Sequence, residues 1–143
     1  MNEDPFNLTR FLKAQEGIYE RALAELQRGQ KETHWMWFIF PQIDGLGRSG
    51  MAREYAIKSR EEAAAYLQHP LLGRRLVECS EALLHIQGRS VSDIMGYPDD
   101  LKLNSSMTLF ATVSEQGSVF YRVIDRYFKG HDDRKTRAIL AGA

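Results

Sequence analysis

A chain of 143 residues has the length of one ordinary domain, able to bury roughly 70% of its unfolded surface without disulfides or metal. Its 43% hydrophobic and 27% charged residues exclude a disordered or fibrous protein, and 19 Lys and Arg against 19 Asp and Glu leave no global field that would draw it to nucleic acid or anionic lipid. The lone Cys79 excludes an internal disulfide framework and a multi-cysteine zinc site.

The acidic start, Met1 to Pro5, lacks the basic and apolar regions of a secretory signal, and the longest apolar run, Trp35 to Pro41, is too short to span a bilayer. A cytoplasmic protein with no membrane and no nucleic-acid partner is expected. Leu8, Phe11, Leu12, Ile18, Tyr19, Ala22, Leu23 and Leu26 then recur at steps of three and four, which places them on one helical face. Asn7 can cap this segment and Gly29 can end it, while Gly17 either kinks it or divides it in two. Thr33 offers an N-cap to His34 through Phe40, a run without a polar face that must be central and that stops before Pro41. Strand competes, because aromatic residues favour sheets and periodicity cannot decide so short a run. No partner strand occurs elsewhere, so a short buried helix with Trp37 in the core is preferred.

Residues 42–50 read as a loop containing Gly45, Leu46, Gly47, Arg48, Ser49 and Gly50, followed by a helical segment over Met51 to Ala56. Ser59 opens a capping box with Glu62, ahead of Ala63 through Leu67. His69 and Pro70 break that helix and start another, in which Leu72, Leu76, Cys79, Leu83 and Ile86 form a near-heptad stripe ending at Gly88. Ser90 caps a short turn through Ile94, and Gly96 to Asp100 turn into a helix over Leu101 to Val113. Gly117 precedes a helix with paired positions Val119-Phe120, Val123-Ile124 and Tyr127-Phe128, closed by Gly130. Asp132 or Asp133 can cap a last helix carrying Ala138, Ile139 and Leu140. The fold class is therefore all-α: a single domain over residues 1–143, with an ordered core at about 7–140, built as a compact bundle of about seven to eight short and medium helices.

Gly45, Gly47 and Gly50 match G-x-G-x-x-G, but no strand precedes them and Glu61 and Glu62 come too early to bind a ribose, so a dinucleotide site is not expected and no cofactor is implied. A Gly-rich turn with Arg48 and Ser49 can still present amides and a guanidinium to an anion; the plainer alternative is a connecting loop. His34, among aromatic neighbours, can act as a base or hydrogen-bonding anchor, or be a buried His satisfied by a backbone carbonyl. His34, His69, His85 and His131 lack the spacing of metal ligands, so no metal is expected. Asp99, Lys102, Ser105, Ser106 and Thr108 concentrate polar groups on one helix. Lys102 and Ser106, four residues apart, permit a Lys-activated serine, whereas Asp99 and Lys102 more simply pair at the helix entry and Ser bonds back to the preceding turn. Trp35, Trp37 and Tyr97 can stack on a planar ligand, although core packing is their usual role.

Thr33 through Gln42, Gly45-Leu46-Gly47, Glu62-Ala63 with Tyr66-Leu67, and Lys102 through Phe110 closely resemble, in this order, the bacterial and fungal family known as domain of unknown function 1810. The likeness runs from about Leu8 to Leu140 and implies an all-helical fold. The calpastatin label attached to some members finds no support here, since nothing in this chain resembles that disordered inhibitor. The resemblance places His34, Gln42, Ser49, Asp99, Lys102, Ser105, Ser106 and Thr108 inside family motif blocks, where interleaved polar groups are costly to bury unless they pair with each other or with a ligand. The expected function is a polar pocket for a small anionic or nucleotide-like ligand, lined by the His34-to-Ser49 segment, Arg48 included, and by the Asp99-to-Thr108 helix. Candidate catalytic residues are His34, Lys102 and Ser106. The alternative is a protein-interaction or scaffold domain without catalytic activity.

Overall fold

The apolar stripe that opens the chain folds as two helices, α1 (Thr9–Gln15) and α2 (Tyr19–Arg28), in the computed structural model, which describes residues 4–142. Gly17 divides them: its φ of +69° lies in the left-handed region, where a residue without Cβ turns the chain at little cost. The first cap is Asp4 and not Asn7. Its carboxylate accepts bonds from the Leu8 and Thr9 amides at 2.7 and 2.9 Å and from the Thr9 hydroxyl at 2.7 Å, satisfying donors that a helix start leaves open.

The aromatic run forms one helical turn, α3 (Met36–Ile39), with Trp35 at its N-cap position. Thr33 does not cap it, because its amide and hydroxyl bond instead to the Glu25 carboxylate at 3.0 and 2.6 Å. Core packing, expected of both Trp35 and Trp37, holds fully only for the first. Trp35 is fully buried, whereas Trp37 is only half-buried against the core. Trp37→Ala should therefore cost only about 1–2 kcal/mol, below the roughly 3–5 kcal/mol of a fully buried tryptophan, and urea denaturation would measure it. A loss above about 3 kcal/mol would place the indole in the core after all.

The loop that follows is held by a single parallel bridge between Ile43 and Ile57, in which the Asp44 amide donates to the Ile57 carbonyl and the Ile57 amide to the Gln42 carbonyl, both at 2.8 Å. Within it lies α4 (Gly50–Glu54), capped by Ser49, whose hydroxyl accepts from the Ala52 amide at 3.1 Å. The next helix, α5 (Arg60–Gln68), is capped by Ser59, accepting from the Glu62 amide at 3.1 Å. Glu62 completes no box with Ser59; its carboxylate takes the Lys58 amide at 2.9 Å and Arg10 at 2.7 Å. Arg10 also donates to the carbonyls of Phe6, Asn7, Glu54 and Ala56, so one guanidinium ties α1 to the loop and to α5.

The second half of the chain supplies α6 (Leu72–His85), α7 (Val91–Met95), α8 (Asp99–Ala111), α9 (Val119–Phe128) and α10 (Arg134–Gly142). Ser90 and Asp93 form a reciprocal capping box on α7. Among the described residues there are ten helices, more than about seven to eight, because Gly17 splits the first stripe and α3, α4 and α7 are single turns. Helix α8 is central, packed by α5, α7, α9 and α10, and α6 covers the opposite side with α2, α3, α5 and α9. Phe11, Tyr66, Phe110 and Phe120 run as a ladder of ring contacts through this core, with centroids 5.0, 5.4 and 5.8 Å apart. Such pairs add about 0.5–1.5 kcal/mol each beyond area burial. Cys79 lies fully inside, and burial pushes its thiol up to about 12, which keeps it neutral and unreactive. Among the described residues no helix is long and apolar enough to cross a membrane.

Candidate functional site

Because α8 is buried along most of its length, only its first turns can present polar groups to solvent. Those turns meet two loops. The 42–47 loop, pinned by the Ile43–Ile57 bridge, approaches from one side, and the start of α10 approaches from the other. Between them lies a cleft of about 390 Å³ lined by Gln42, Leu46, Gly47, Pro98, Leu101, Lys102, Asn104, Ser105, Asp133 and Lys135. That volume falls within the range of small-molecule sites, about 300–1,000 Å³.

The α10 side is organised by Asp133. Its carboxylate caps α10, accepting from the Thr136 hydroxyl at 2.6 Å, and it also accepts from the Ser105 hydroxyl at 2.8 Å. Its own amide donates to the Thr108 hydroxyl at 2.9 Å, and the Asn104 side-chain amide donates to the His131 carbonyl at 3.0 Å. Lys102 and Lys135 line the same cleft, so among the described residues its lining sets two ammonium groups against the one carboxylate of Asp133, a positive balance.

The α3 side is tied to α8 by a relay of charges. Lys31 Nζ donates to the Thr33 carbonyl at 2.7 Å and pairs with Asp99 at 2.8 Å, while Lys102 stands 3.9 Å from the other oxygen of Asp99. Lys102 also lies over the Trp37 ring at 5.9 Å, with its side chain 34% exposed. Beneath this relay the Glu25 carboxylate accepts from the Glu32 and Thr33 amides, the Thr33 hydroxyl and the Trp35 indole N–H, at 2.6 to 3.0 Å. Burial alone would raise the Glu25 carboxyl, but those hydrogen bonds outweigh it and bring the pKa down to about 2.

Of the residues singled out from the sequence, Gln42, Lys102 and Ser105 line the cleft together with Gly47 of the Gly-rich loop, and Asp99 adjoins it through Lys102. His34 and Arg48 are exposed and outside the lining. Ser49 serves as the α4 cap, and Thr108 is buried in the bond to the Asp133 amide. Ser106 is fully buried, and its hydroxyl has no hydrogen-bond partner among the described residues, Lys102 included. Asn104, Lys135 and Lys31 carry no mark in the sequence reading, and Asp133 enters it only as a possible cap of the last helix. Asn104 could have been singled out, since it shares a helical face with Leu101 and Ser105 at steps of three and four. Among the described residues no group of His, Cys, Asp and Glu is arranged to hold a metal ion.

A family model described as protein of unknown function (DUF1810) matches residues 5–140. Among solved structures the chain is similar to the conserved hypothetical protein Rv1873 from Mycobacterium tuberculosis, with 52% identity, coverage of 96% of this chain and 99% of that one, and a TM-score of 0.95. No match is found among curated proteins.

Proposed function

This chain belongs to the DUF1810 family of proteins of unknown function, and from that premise we propose that the cleft between the 42–47 loop and α8 binds a small anionic ligand. The observation that carries this reading is the charge of the lining. Among the described residues Lys102 and Lys135 outnumber the one lining carboxylate, Asp133, whose Oδ2 accepts from the Ser105 and Thr136 hydroxyls. The side-chain amides of Gln42 and Asn104 stand beside them as orienting groups, and Leu46, Pro98 and Leu101 provide an apolar wall for the uncharged part of a ligand, which suits a nucleotide-like molecule. No catalytic step is assigned to these groups.

Thermal-shift screening of nucleotides, sugar phosphates and carboxylates tests the proposal. A ligand at a hundredfold excess over its dissociation constant stabilises the native state by about 2.7 kcal/mol. At least one compound should raise the melting temperature, and Lys102→Met should fold normally, because its one ion pair among the described residues is long and partly exposed, yet lose most of that shift. A hit indifferent to Lys102→Met, or no hit at all, would remove the reading. One observation favours the interaction-module alternative: Leu101, which lines the cleft, and Tyr97, next in sequence to the lining residue Pro98, are 56% and 82% exposed. Leu101→Asp abolishing a protein contact while leaving every small-ligand shift unchanged would support it.

A further inference from the structure

A second cleft, of about 400 Å³, lies on the other side of α10. The first turn of that helix separates the two: Asp133 and Lys135 line the one described above, Arg134 and Arg137 the other. Arg60, at the start of α5, faces the two α10 arginines, and among the described residues no carboxylate is part of the lining. The guanidinium groups of Arg60 and Arg134 have no hydrogen bond or ion pair among the described residues, and Arg137 has only an exposed contact with Asp132 at 3.4 Å. In a chain whose charges balance, three cations around one cavity, of which only Arg137 is paired with an acid among the described residues, form a local positive field. Guanidinium forks match the oxygens of phosphate in pairs, and Ala138, Leu140 and Ala141 give the cavity an apolar floor.

We propose that the Arg60–Arg134–Arg137 cleft is a second anion site, built for a multiply charged phosphate ligand with a small organic part. It does not depend on the first site. Without ligand the three charges repel one another; a phosphate relieves that repulsion and accepts bonds that water otherwise supplies.

Isothermal titration calorimetry with inorganic pyrophosphate at low ionic strength tests this directly, since screening weakens exposed charges. One saturable site is expected. Arg60→Gln and Arg134→Gln should each weaken it about tenfold, a loss of about 1.4 kcal/mol, while circular dichroism and melting temperature without ligand stay unchanged. Lys102→Met should leave pyrophosphate affinity as it is. The site is refuted if binding does not saturate, if Arg60→Gln and Arg134→Gln bind as the parent does, or if Lys102→Met alone removes binding, which would place the anion in the other cleft. Single-stranded oligonucleotides whose affinity climbs with length beyond that of pyrophosphate would replace it with backbone recognition.

Discussion

Gly73→Ala should destabilise the protein by more than about 3 kcal/mol, or prevent folding, although it adds one methyl group to a helix and alanine is the better helix former. A Cβ at this position would stand 1.9 Å from the carbonyl oxygen of Leu67 and 2.8 Å from its carbon. Those are backbone atoms of the last turn of α5, so no side chain can rotate away. The corner cannot open easily either, because His69 binds both helices: its amide donates to the Ala65 carbonyl at 3.0 Å, and its Nδ1 accepts from the Leu71 and Leu72 amides at 3.1 and 3.2 Å. Tyr66 and Leu72, both fully buried, flank the corner, so separating α5 from α6 would pull two core side chains apart. Gly50→Ala supplies the control. A Cβ there meets nothing within 4 Å, and the substitution should be neutral or slightly stabilising. Equal midpoints for the two variants in urea would show that the α5–α6 corner is not closely packed.

Gly73 also illustrates what a sequence can and cannot disclose. The break at His69 and Pro70 was legible, because proline disfavours helix in the residue before it. That the next helix then folds back close enough to exclude a methyl group was not, since closeness depends on where a distant element settles. The same division runs through the whole molecule. Helical periodicity placed α2, α6 and α9 because a buried stripe repeats whichever neighbour covers it, whereas α8, buried nearly all round, was marked by the turn at Gly96 to Asp100. Thr33 was misread as a cap because a threonine before an apolar run carries the local signature, whereas Glu25, eight residues earlier, captures its hydroxyl only after α2 and α3 have packed. The cleft follows this rule. Gln42, Lys102 and Ser105 were marked by polarity within apolar segments, which is a local signal. Asp133 was legible only as a cap of the last helix and Lys31 not at all, because the role of each in the cleft comes from a partner far along the chain: Ser105 for the first, Asp99 for the second.

Glu25→Gln should cost about 3–5 kcal/mol at neutral pH, as expected when one partner of a buried, hydrogen-bonded charge is removed. The carboxylate is 2% exposed and accepts four bonds, and an amide offers one acceptor oxygen and turns an NH2 toward the remaining donors. The indole N–H of the fully buried Trp35 is the donor with least access to water. The pH dependence gives a sharper test than the magnitude. The folded pKa of Glu25, about 2, lies below its ordinary value of 4.5, so the group is ionised in both states above 4.5 and its stabilisation is then complete. As pH falls from 4.5 toward 2 the unfolded chain takes up the proton first, stability declines, and below 2 the contribution is gone. A depression of that size corresponds to about 3 kcal/mol. Asp4, lowered by the Thr9 hydroxyl and by the Thr9 and Leu8 amides, adds its own decline, but that decline is common to parent and variant and cancels in their difference. The stability gap between parent and Glu25→Gln, followed by urea denaturation, should therefore be constant above pH 4.5 and narrow steadily toward pH 2. A gap that keeps its full width at pH 2 would mean that the variant loses packing rather than a charged acceptor. Glu25 holds Thr33, whose carbonyl receives Lys31, and Lys31 in turn fixes Asp99 beside Lys102; the same substitution should thus loosen one wall of the cleft and weaken any ligand that depends on Lys102.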